Sequence, residues 1–241
     1  MNQLLGKLPK TIDRRTLKMS SYLDIPKLPT LPKADNNYTK ISRFTMGGND
    51  KYGCCVVAGA AHTVQVWTSM AANEFIIPDH RIIKSYFGLT NGADSGLNVL
   101  EFLKFWRKNQ LWGQPLGAFV SINPSNIVQM QYAVYLFGAV FTGLSLPLSA
   151  KDQSVWDVPS GGDDSIPGSW GGHLTICGEY NANHFINYTW GEKQPMTNDF
   201  VKNYCDEAYG LLSVSWFGKN HKSPDGFAYR DLLSDLTRIA T

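Results

Sequence analysis

Sequence patterns that define several common functional classes are absent from this chain of 241 residues, or scarce in it. It contains only four cysteines, which are too few for a disulfide-stapled scaffold of this length. Neither C-x-x-C nor H-E-x-x-H occurs, so the usual metal-ligand spacings are missing. The phosphate-binding patterns G-x-x-x-x-G-K-[ST] and G-x-G-x-x-G are missing as well. We therefore expect neither a metal ion nor a cofactor.

The chain also lacks a strong net charge and a long hydrophobic run. Its formal net charge is only +2, which gives no strong signal for nucleic-acid binding. The longest apolar stretch covers residues 133–148, where Gly138, Gly143 and Pro147 interrupt a run too short to cross a bilayer comfortably. Charges break up the N-terminus, so no signal peptide is indicated. We expect a cytoplasmic protein without membrane contact.

Residues 1–37 differ in composition from the rest of the chain, and we refer to them as the N-terminal arm. Four prolines lie in this stretch, and its first 18 residues carry five basic side chains against one acidic side chain. Prolines at this density predict extended chain rather than regular structure. We expect an arm with few contacts to the following domain at residues 38–241. Such an arm is simply solvated, contacts an acidic partner or nucleic acid, or binds another protein subunit in an assembly.

The domain pattern changes from helical to extended along the chain. Helical spacing or small and apolar composition predicts helices at residues 54–74, 96–109 and 125–137. Strands are predicted at residues 140–146, 173–180, 185–190 and 209–214, with a surface helix holding Cys205 at residues 198–208. Residues 151–172 are predicted to form a long loop. Helices followed by antiparallel strands indicate an α+β fold.

Two local patterns suggest a nucleophile and a base. Cys54 and Cys55 end a polar, glycine-containing loop and begin the first predicted helix. A thiol at a helix N-terminus experiences a partial positive charge that favours the thiolate. Far downstream, His173 follows two glycines and opens an apolar strand. A cysteine at a loop–helix junction and a distant histidine form the pattern of a Cys–His catalytic pair.

In their order and residue composition, these motifs resemble those of the papain-like cysteine peptidases. The resemblance is to an atypical member of phage or bacterial type. The similarity extends over about residues 38–217. It includes the helix sequence CVVAGAA from Cys55, the strand sequence GGHLTICGEY at residues 171–180, and YTWG at residues 188–191 as a partial match to Asn-Ser-Trp-Gly. The resemblance implies a central buried helix packed against an antiparallel sheet or half-barrel, with the extended arm in front of it.

The resemblance also implies roles for individual residues. Cys55 is favoured over Cys54 as the nucleophile because Asn49 stands six residues before it, where the family has an oxyanion-hole glutamine. His173 corresponds to the catalytic histidine. The asparagine that orients the histidine in the family falls at Tyr188, so Asn187 or Thr189, which share the other strand face, is the candidate third member.

Two functions from different classes follow from the resemblance. The first is a cysteine hydrolase that cleaves a peptide or isopeptide bond in a peptide or protein, with peptidoglycan as a further possible substrate. The second is a papain-like domain without catalysis, kept as a structural or binding module, for example in a bacteriophage virion. The altered third member and the arm favour the second function, whereas the Cys55 and His173 pattern favours the first.

Overall fold

The structure is a computed structural model, and it describes residues 3–23 and 28–212. Within these residues the chain forms helices and strands in an α+β arrangement. The helices are α1 (Cys55–Met70), α2 (Asp79–Leu89), α3 (Val99–Asn109), α4 (Ile127–Phe137) and α5 (Asn198–Tyr204). The strands are β1 (Asp35–Asn36), β2 (Ala118–Ile122), β3 (Val140–Leu146), β4 (Gly171–Tyr180), β5 (His184–Thr189), β6 (Glu192–Thr197) and β7 (Cys205–Leu212).

The strands form one antiparallel sheet in the order β2-β7-β3-β4-β5-β6, and the short β1 pairs with β4. Its centre is β3, which pairs with β7 on one side and β4 on the other. The register sets Leu144 of β3 opposite His173 of β4. The predicted α+β class, with a buried helix against an antiparallel sheet, is therefore confirmed.

Two hydrophobic cores lie on opposite faces of this sheet. One core combines α1, α2 and α3 with Phe141, Leu174 and Leu211, and the other combines α4 and α5 with Val140 and Leu212. Neighbouring strand residues belong to different cores because successive side chains of a strand point to opposite faces. Helix α1 is buried on nearly all sides. Its small residues permit this: a Cβ at Gly59 would lie 2.7 Å from the Leu174 side chain on β4.

Most predicted elements are present, and two local assignments differ. The predicted helix at residues 198–208 ends at Tyr204, and Cys205 begins strand β7 as a buried residue instead of lying on a surface helix. The helix ends there because Ala208 and the residues after it pair with β2 and β3 across the sheet centre. Residues 213 and 214 of the predicted last strand lie outside the described residues.

The expectation that the arm makes few contacts with the domain is wrong for its described part. Met19 is fully buried, Tyr22 is nearly so, and both belong to the core that contains α4. Ser121 of β2 donates its backbone N–H to the carbonyl of Leu17. Apolar side chains scattered between the charges and prolines make these contacts, which the composition of the arm did not reveal. A role of the arm in assembly stays a prediction.

A search of the described residues for a membrane-crossing helix found none of sufficient length and apolarity.

Candidate functional site

The loop before α1 brings the N-terminus of this helix to a cleft beside the sheet. Gly47 and Gly48 adopt positive φ angles of 68° and 78°, which lets the loop turn sharply before the helix. Gly53 at the end of the loop donates its N–H to the Asp94 carboxylate (2.9 Å). Because the first N–H groups of a helix have no intrahelical acceptor, this end of α1 offers donors to a negatively charged group.

Cys55, the first residue of α1, is almost completely buried. Its sulfur lies near the backbone N–H of Leu174, the residue that follows His173 on β4. Burial raises the pKa of the Cys55 thiol to about 11, while N–H groups of Leu174 and Gly6 and the charge of Lys7 act in the opposite direction. In this state of the protein the thiol therefore keeps its proton at neutral pH.

Cys54 lies in a different environment from Cys55. Its thiol donates to the carbonyl of Gly47 (3.4 Å), inside the loop and within the core around α1. Burial raises the pKa of Cys54 well above its ordinary value. Cys54 is thus held by the loop, whereas the sulfur of Cys55 is near the strand that carries His173.

His173 is completely buried and contacts a hydroxyl and an indole. Its Nε2 is joined by a hydrogen bond to the hydroxyl of Thr189 (2.7 Å), and Trp190 stacks on the imidazole at 4.1 Å between ring centroids and 12° between planes. Nδ1 has no hydrogen-bond partner among the described residues. Burial lowers the pKa of His173 to about 3, so the ring is neutral at physiological pH. One ring nitrogen is thus oriented by Thr189, and the other is available.

The two candidates for a third member have separate partners. Thr189 contacts His173, as described above, whereas the Asn187 carbonyl oxygen accepts from the hydroxyls of Thr142 (3.1 Å) and Thr175 (2.9 Å). The two residues share a strand face, but Asn187 lies two cross-strand pairs away from Thr189 along β5. Tyr188 points to the other side and donates to Gln65 of α1 (3.0 Å).

Asn49 is buried at the edge of the same cleft. One side-chain N–H donates to the carbonyl of Tyr52 (2.9 Å), within the loop that leads to Cys55. The backbone carbonyl of Asn49 accepts the N–H of Leu4 (3.2 Å). One of the two N–H groups of the Asn49 side-chain amide is therefore engaged within the loop, and the Asn49 backbone contacts the arm.

The arm itself occupies the cleft, and we refer to residues 4–8 as the cleft segment. On one wall, Gly6 and Lys7 donate their N–H groups to the carbonyl of Gly172 at 3.2 and 3.0 Å. On the other wall, Leu97 donates to the Gly6 carbonyl (2.9 Å) and accepts from Leu8 (3.0 Å). The Gly6 N–H also faces the Cys55 sulfur. The backbone of the cleft segment therefore lies beside the thiol of Cys55.

The cleft segment fits because glycines stand where it meets the walls, on the segment itself at Gly6 and on the wall at Gly172. A Cβ on Gly6 would lie 1.8 Å from the carbonyl oxygen of Gly53, and a Cβ on Gly172 would lie 2.2 Å from the carbonyl oxygen of Lys7. Both distances are far below the separation of non-bonded atoms. Alanine at position 6 is therefore incompatible with the cleft segment in its observed position.

Lys7 extends from the cleft segment into an acidic pocket that the sequence analysis missed. Its ammonium group lies 2.9 Å from Asp206 and 3.4 Å from Glu207, and the Lys7 and Glu207 side chains are each only 1% exposed. These partners are about 200 positions apart in the chain, so no local pattern could link them. The adjacent acids at positions 206 and 207 were the only visible signal.

Tyr86 and Asp94 support the cleft wall and were also missed. The Tyr86 hydroxyl donates to Asp94 (2.7 Å) and accepts the N–H of Gly96 (2.8 Å), while Asp94 accepts the N–H of Gly53. This network holds together the two glycines against which the cleft segment packs. Among the described residues, no three His, Cys, Asp or Glu side chains are arranged to hold a metal ion.

Comparison with known proteins identifies the fold. No family model and no curated protein matches the chain. Among solved structures it is similar to xylellain, a cysteine protease from Xylella fastidiosa, with a TM-score of 0.72 and 15% identity over 88% of this chain and 97% of that one. It is also similar to digestive procathepsin L 3 of Tenebrio molitor larval midgut, with a TM-score of 0.58 and 9% identity over 88% and 76%. A third similar structure is the bromelain protease from Ananas comosus, with a TM-score of 0.53 and 11% identity over 76% and 99%.

The chain has the papain-like fold, as the sequence motifs indicated. The phage or bacterial type of the resemblance stays a prediction.

Proposed function

We propose that the protein is a cysteine peptidase that uses Cys55 and His173 for catalysis. Its own N-terminal arm holds this peptidase in a latent state. The observation that carries this proposal is the cleft segment, which lies against the sulfur of a cysteine at the start of α1 and is bound to both cleft walls by its backbone. A groove that binds an extended backbone on both walls beside a thiol and an imidazole is suited to a peptide substrate.

The proposed reaction begins when the cleft segment leaves and a substrate takes its place. His173 Nδ1 removes the proton of Cys55, and the thiolate attacks the carbonyl carbon of the scissile peptide or isopeptide bond. The N–H groups at the start of α1, with Asn49 at the loop edge, stabilise the oxyanion. The imidazolium protonates the leaving amine, and water then hydrolyses the thioester and restores the thiol.

Two neighbours support His173 in this role. The hydrogen bond from Thr189 fixes the ring orientation in place of the asparagine or aspartate that usually does so, and the stacked Trp190 excludes water from one ring face. Asn187 is engaged by two threonine hydroxyls and is not part of the proposed mechanism. The proposed substrates are peptides or proteins, and peptidoglycan stays a predicted alternative.

The latent state has a simple electrostatic basis. While the cleft segment occupies the cleft, burial raises the pKa of Cys55 to about 11 and lowers the pKa of His173 to about 3, so both groups are uncharged at neutral pH. When the cleft segment leaves, water and the helix N-terminus stabilise a thiolate–imidazolium pair. The same displacement therefore opens the groove and activates the nucleophile.

The test uses full-length Gly6→Ala, in which the cleft segment is displaced, and a fluorogenic peptide mixture. Adding Cys55→Ser or His173→Ala should reduce hydrolysis by about 10,000-fold or more, because each removes a reacting group. Adding Thr189→Val should lower kcat/KM by roughly tenfold, because the ring loses its orienting partner, and Thr189→Ser should restore it. Cys177→Ser, which changes a buried thiol in the other core, is the matched control and should keep the parent rate.

A papain-like module without catalysis is the second candidate, and the uncharged, covered Cys55 and His173 favour it. If Gly6→Ala exposes Cys55 to solvent and still hydrolyses no peptide, this second function replaces the first. Incorporation into a phage particle stays a prediction.

A further inference from the structure

The acidic pocket that holds Lys7 is built by the sheet and not by the arm. Its carboxylates come from Asp206 and Glu207 on β7, and neighbouring hydroxyls bind them: Ser145 donates to Asp206 (2.8 Å) and Tyr209 donates to Glu207 (3.0 Å). We refer to this group as the acidic pocket. It therefore belongs to the folded domain, whichever chain occupies the cleft.

A strand irregularity explains how two consecutive acids reach the same pocket. In a regular strand, residues 206 and 207 would point to opposite faces of the sheet. Here β3 and β7 change register: Gly143 pairs with Glu207, whereas the next residue, Leu144, pairs with Cys205. Asp206 is the extra residue of this bulge, and a bulge can turn both side chains to one side. Bulges are frequent beside active sites because they redirect side chains in this way.

The pocket lies beside the proposed catalytic pair. Leu144, at the bulge, pairs across the sheet with His173. Lys7 directly follows Gly6, whose N–H faces the Cys55 sulfur, and the Lys7 charge is close enough to lower the pKa of Cys55. A chain that binds the same backbone groups of the cleft would therefore place a side chain in the acidic pocket next to the reacting bond.

The pocket has space and acceptor capacity for a long cationic side chain. The absence of a side chain at Gly143 makes room for the Lys7 stem, because a Cβ there would lie 2.6 Å from Cε of Lys7. Among the described residues, the buried Oδ1 of Asp206 has no hydrogen-bond partner, and the buried Oε1 of Glu207 has an ion-pair contact with Lys7 at 3.4 Å but no hydrogen bond. Lysine thus leaves two oxygens without a hydrogen bond, which a guanidinium group with five donors could satisfy.

The pocket also needs a cation once the arm has left. Departure of the arm removes the Lys7 ammonium group, which lies 2.9 Å from Asp206 and 3.4 Å from Glu207, and leaves two neighbouring like charges without a counter-charge. A neutral or acidic substrate side chain would leave these charges uncompensated, whereas a lysine or arginine would replace Lys7. We propose that the acidic pocket is the specificity site of the enzyme and selects a lysine or arginine side chain of the peptide substrate. This inference rests on the proposed peptidase function.

The test is a positional-scanning library of internally quenched, N-acetylated peptides, hydrolysed by full-length Gly6→Ala. Acetylation leaves the side chain as the only cationic group of the fixed residue. At one position of the library, peptides with lysine or arginine should be hydrolysed with a kcat/KM about 10- to 100-fold higher than that of peptides with norleucine. Adding Glu207→Gln, or Asp206→Asn as a second variant, should reduce this preference at least about fivefold. Asp199→Asn, which removes an exposed carboxylate on α5, should leave the preference unchanged.

A binding measurement separates failure of the pocket from failure of the proposed function. An acetylated, labelled peptide of residues 3–9 and its Lys7→norleucine analogue are titrated into Gly6→Ala/Cys55→Ser by fluorescence anisotropy. If no library peptide is hydrolysed but the lysine peptide binds at least about tenfold more tightly, the proposed function fails and the pocket assignment stands. Equal hydrolysis of lysine and norleucine peptides at every library position would overturn the assignment. If no peptide is hydrolysed, equal binding of the lysine and norleucine peptides, or no binding of either, would also overturn it.

Discussion

Full-length protein carrying Gly6→Ala should hydrolyse a fluorogenic peptide about 100-fold faster than the wild-type chain. The alanine Cβ would lie 1.8 Å from the carbonyl oxygen of Gly53, so the cleft segment has to move. Such a shift breaks the hydrogen bonds of Gly6 and Lys7 to Gly172 and of Leu97 to Gly6. At about 1 kcal/mol each, their loss weakens the binding of the cleft segment by about 3 kcal/mol, which corresponds to roughly 100-fold.

The matched control is Gly88→Ala, another glycine-to-alanine change in the same chain. Gly88 lies on α2, and a Cβ there would meet nothing within 4 Å. Alanine at an exposed helical position should leave hydrolysis unchanged and stabilise the protein slightly. Equal hydrolysis by Gly6→Ala and wild type would contradict the latent state if Gly6→Ala also exposes Cys55, because displacement would then have released no activity.

Lys7→Met should lower the free energy of unfolding by about 3 kcal/mol at neutral pH. The change removes the cation from a pair in which Glu207 is 1% exposed, and loss of one partner of a buried ion pair leaves an uncompensated charge. The measurement is urea unfolding followed by tryptophan fluorescence. Lys10→Met is the control, because Lys10 is exposed and donates to the backbone carbonyl of Asp206 rather than to its carboxylate, so its loss should cost less than about 0.5 kcal/mol.

The cost of Lys7→Met should also depend on pH in a defined direction. Burial raises the pKa of Glu207, and Lys7 opposes this shift. A carboxyl with a raised pKa binds more protons in the folded state than in the unfolded state, so its contribution to stability falls as the pH rises above the unfolded value. Without Lys7 the fall should be steeper. The deficit relative to wild type should therefore grow between about pH 4.5 and pH 7.5, and a deficit that is constant or shrinks over this range would contradict the assignment.

The elements that could be predicted from the sequence are those with an unambiguous local pattern. Helix α1 could be predicted because small and apolar residues cover all its faces, and β4 because an apolar run follows two glycines. Helix α2 was missed because it buries only Ile82 and Tyr86. Strand β6 was missed because it contains charges and Pro195. An edge strand tolerates them, and β6 is at the edge of the sheet formed by the described residues.

The candidate site, too, contains residues that local sequence patterns could predict and residues that they could not. Local patterns suggested Cys55 and His173 as candidates, but they could not decide between Asn187 and Thr189 as the third member, since both lie on one strand face. The position of the arm was not predictable, because its backbone groups and glycines make most of the contacts in the cleft and carry no hydrophobic pattern. The link from Lys7 to β7 depends on the whole fold.

The central claim is that Cys55 and His173 form a reactive pair that stays buried and uncharged while the arm occupies the cleft. A pH–rate profile of Cys55 alkylation tests this claim most directly. Rates at each cysteine are assigned by mass spectrometry in full-length wild type, Gly6→Ala and Gly6→Ala/His173→Ala. Wild type should react slowly at neutral pH, because burial raises the pKa of Cys55 to about 11. In Gly6→Ala the apparent pKa should fall below the free-thiol value of about 8.5, and loss of His173 should raise it again. An apparent pKa at or above the free-thiol value in Gly6→Ala, unchanged without His173, would contradict the claim.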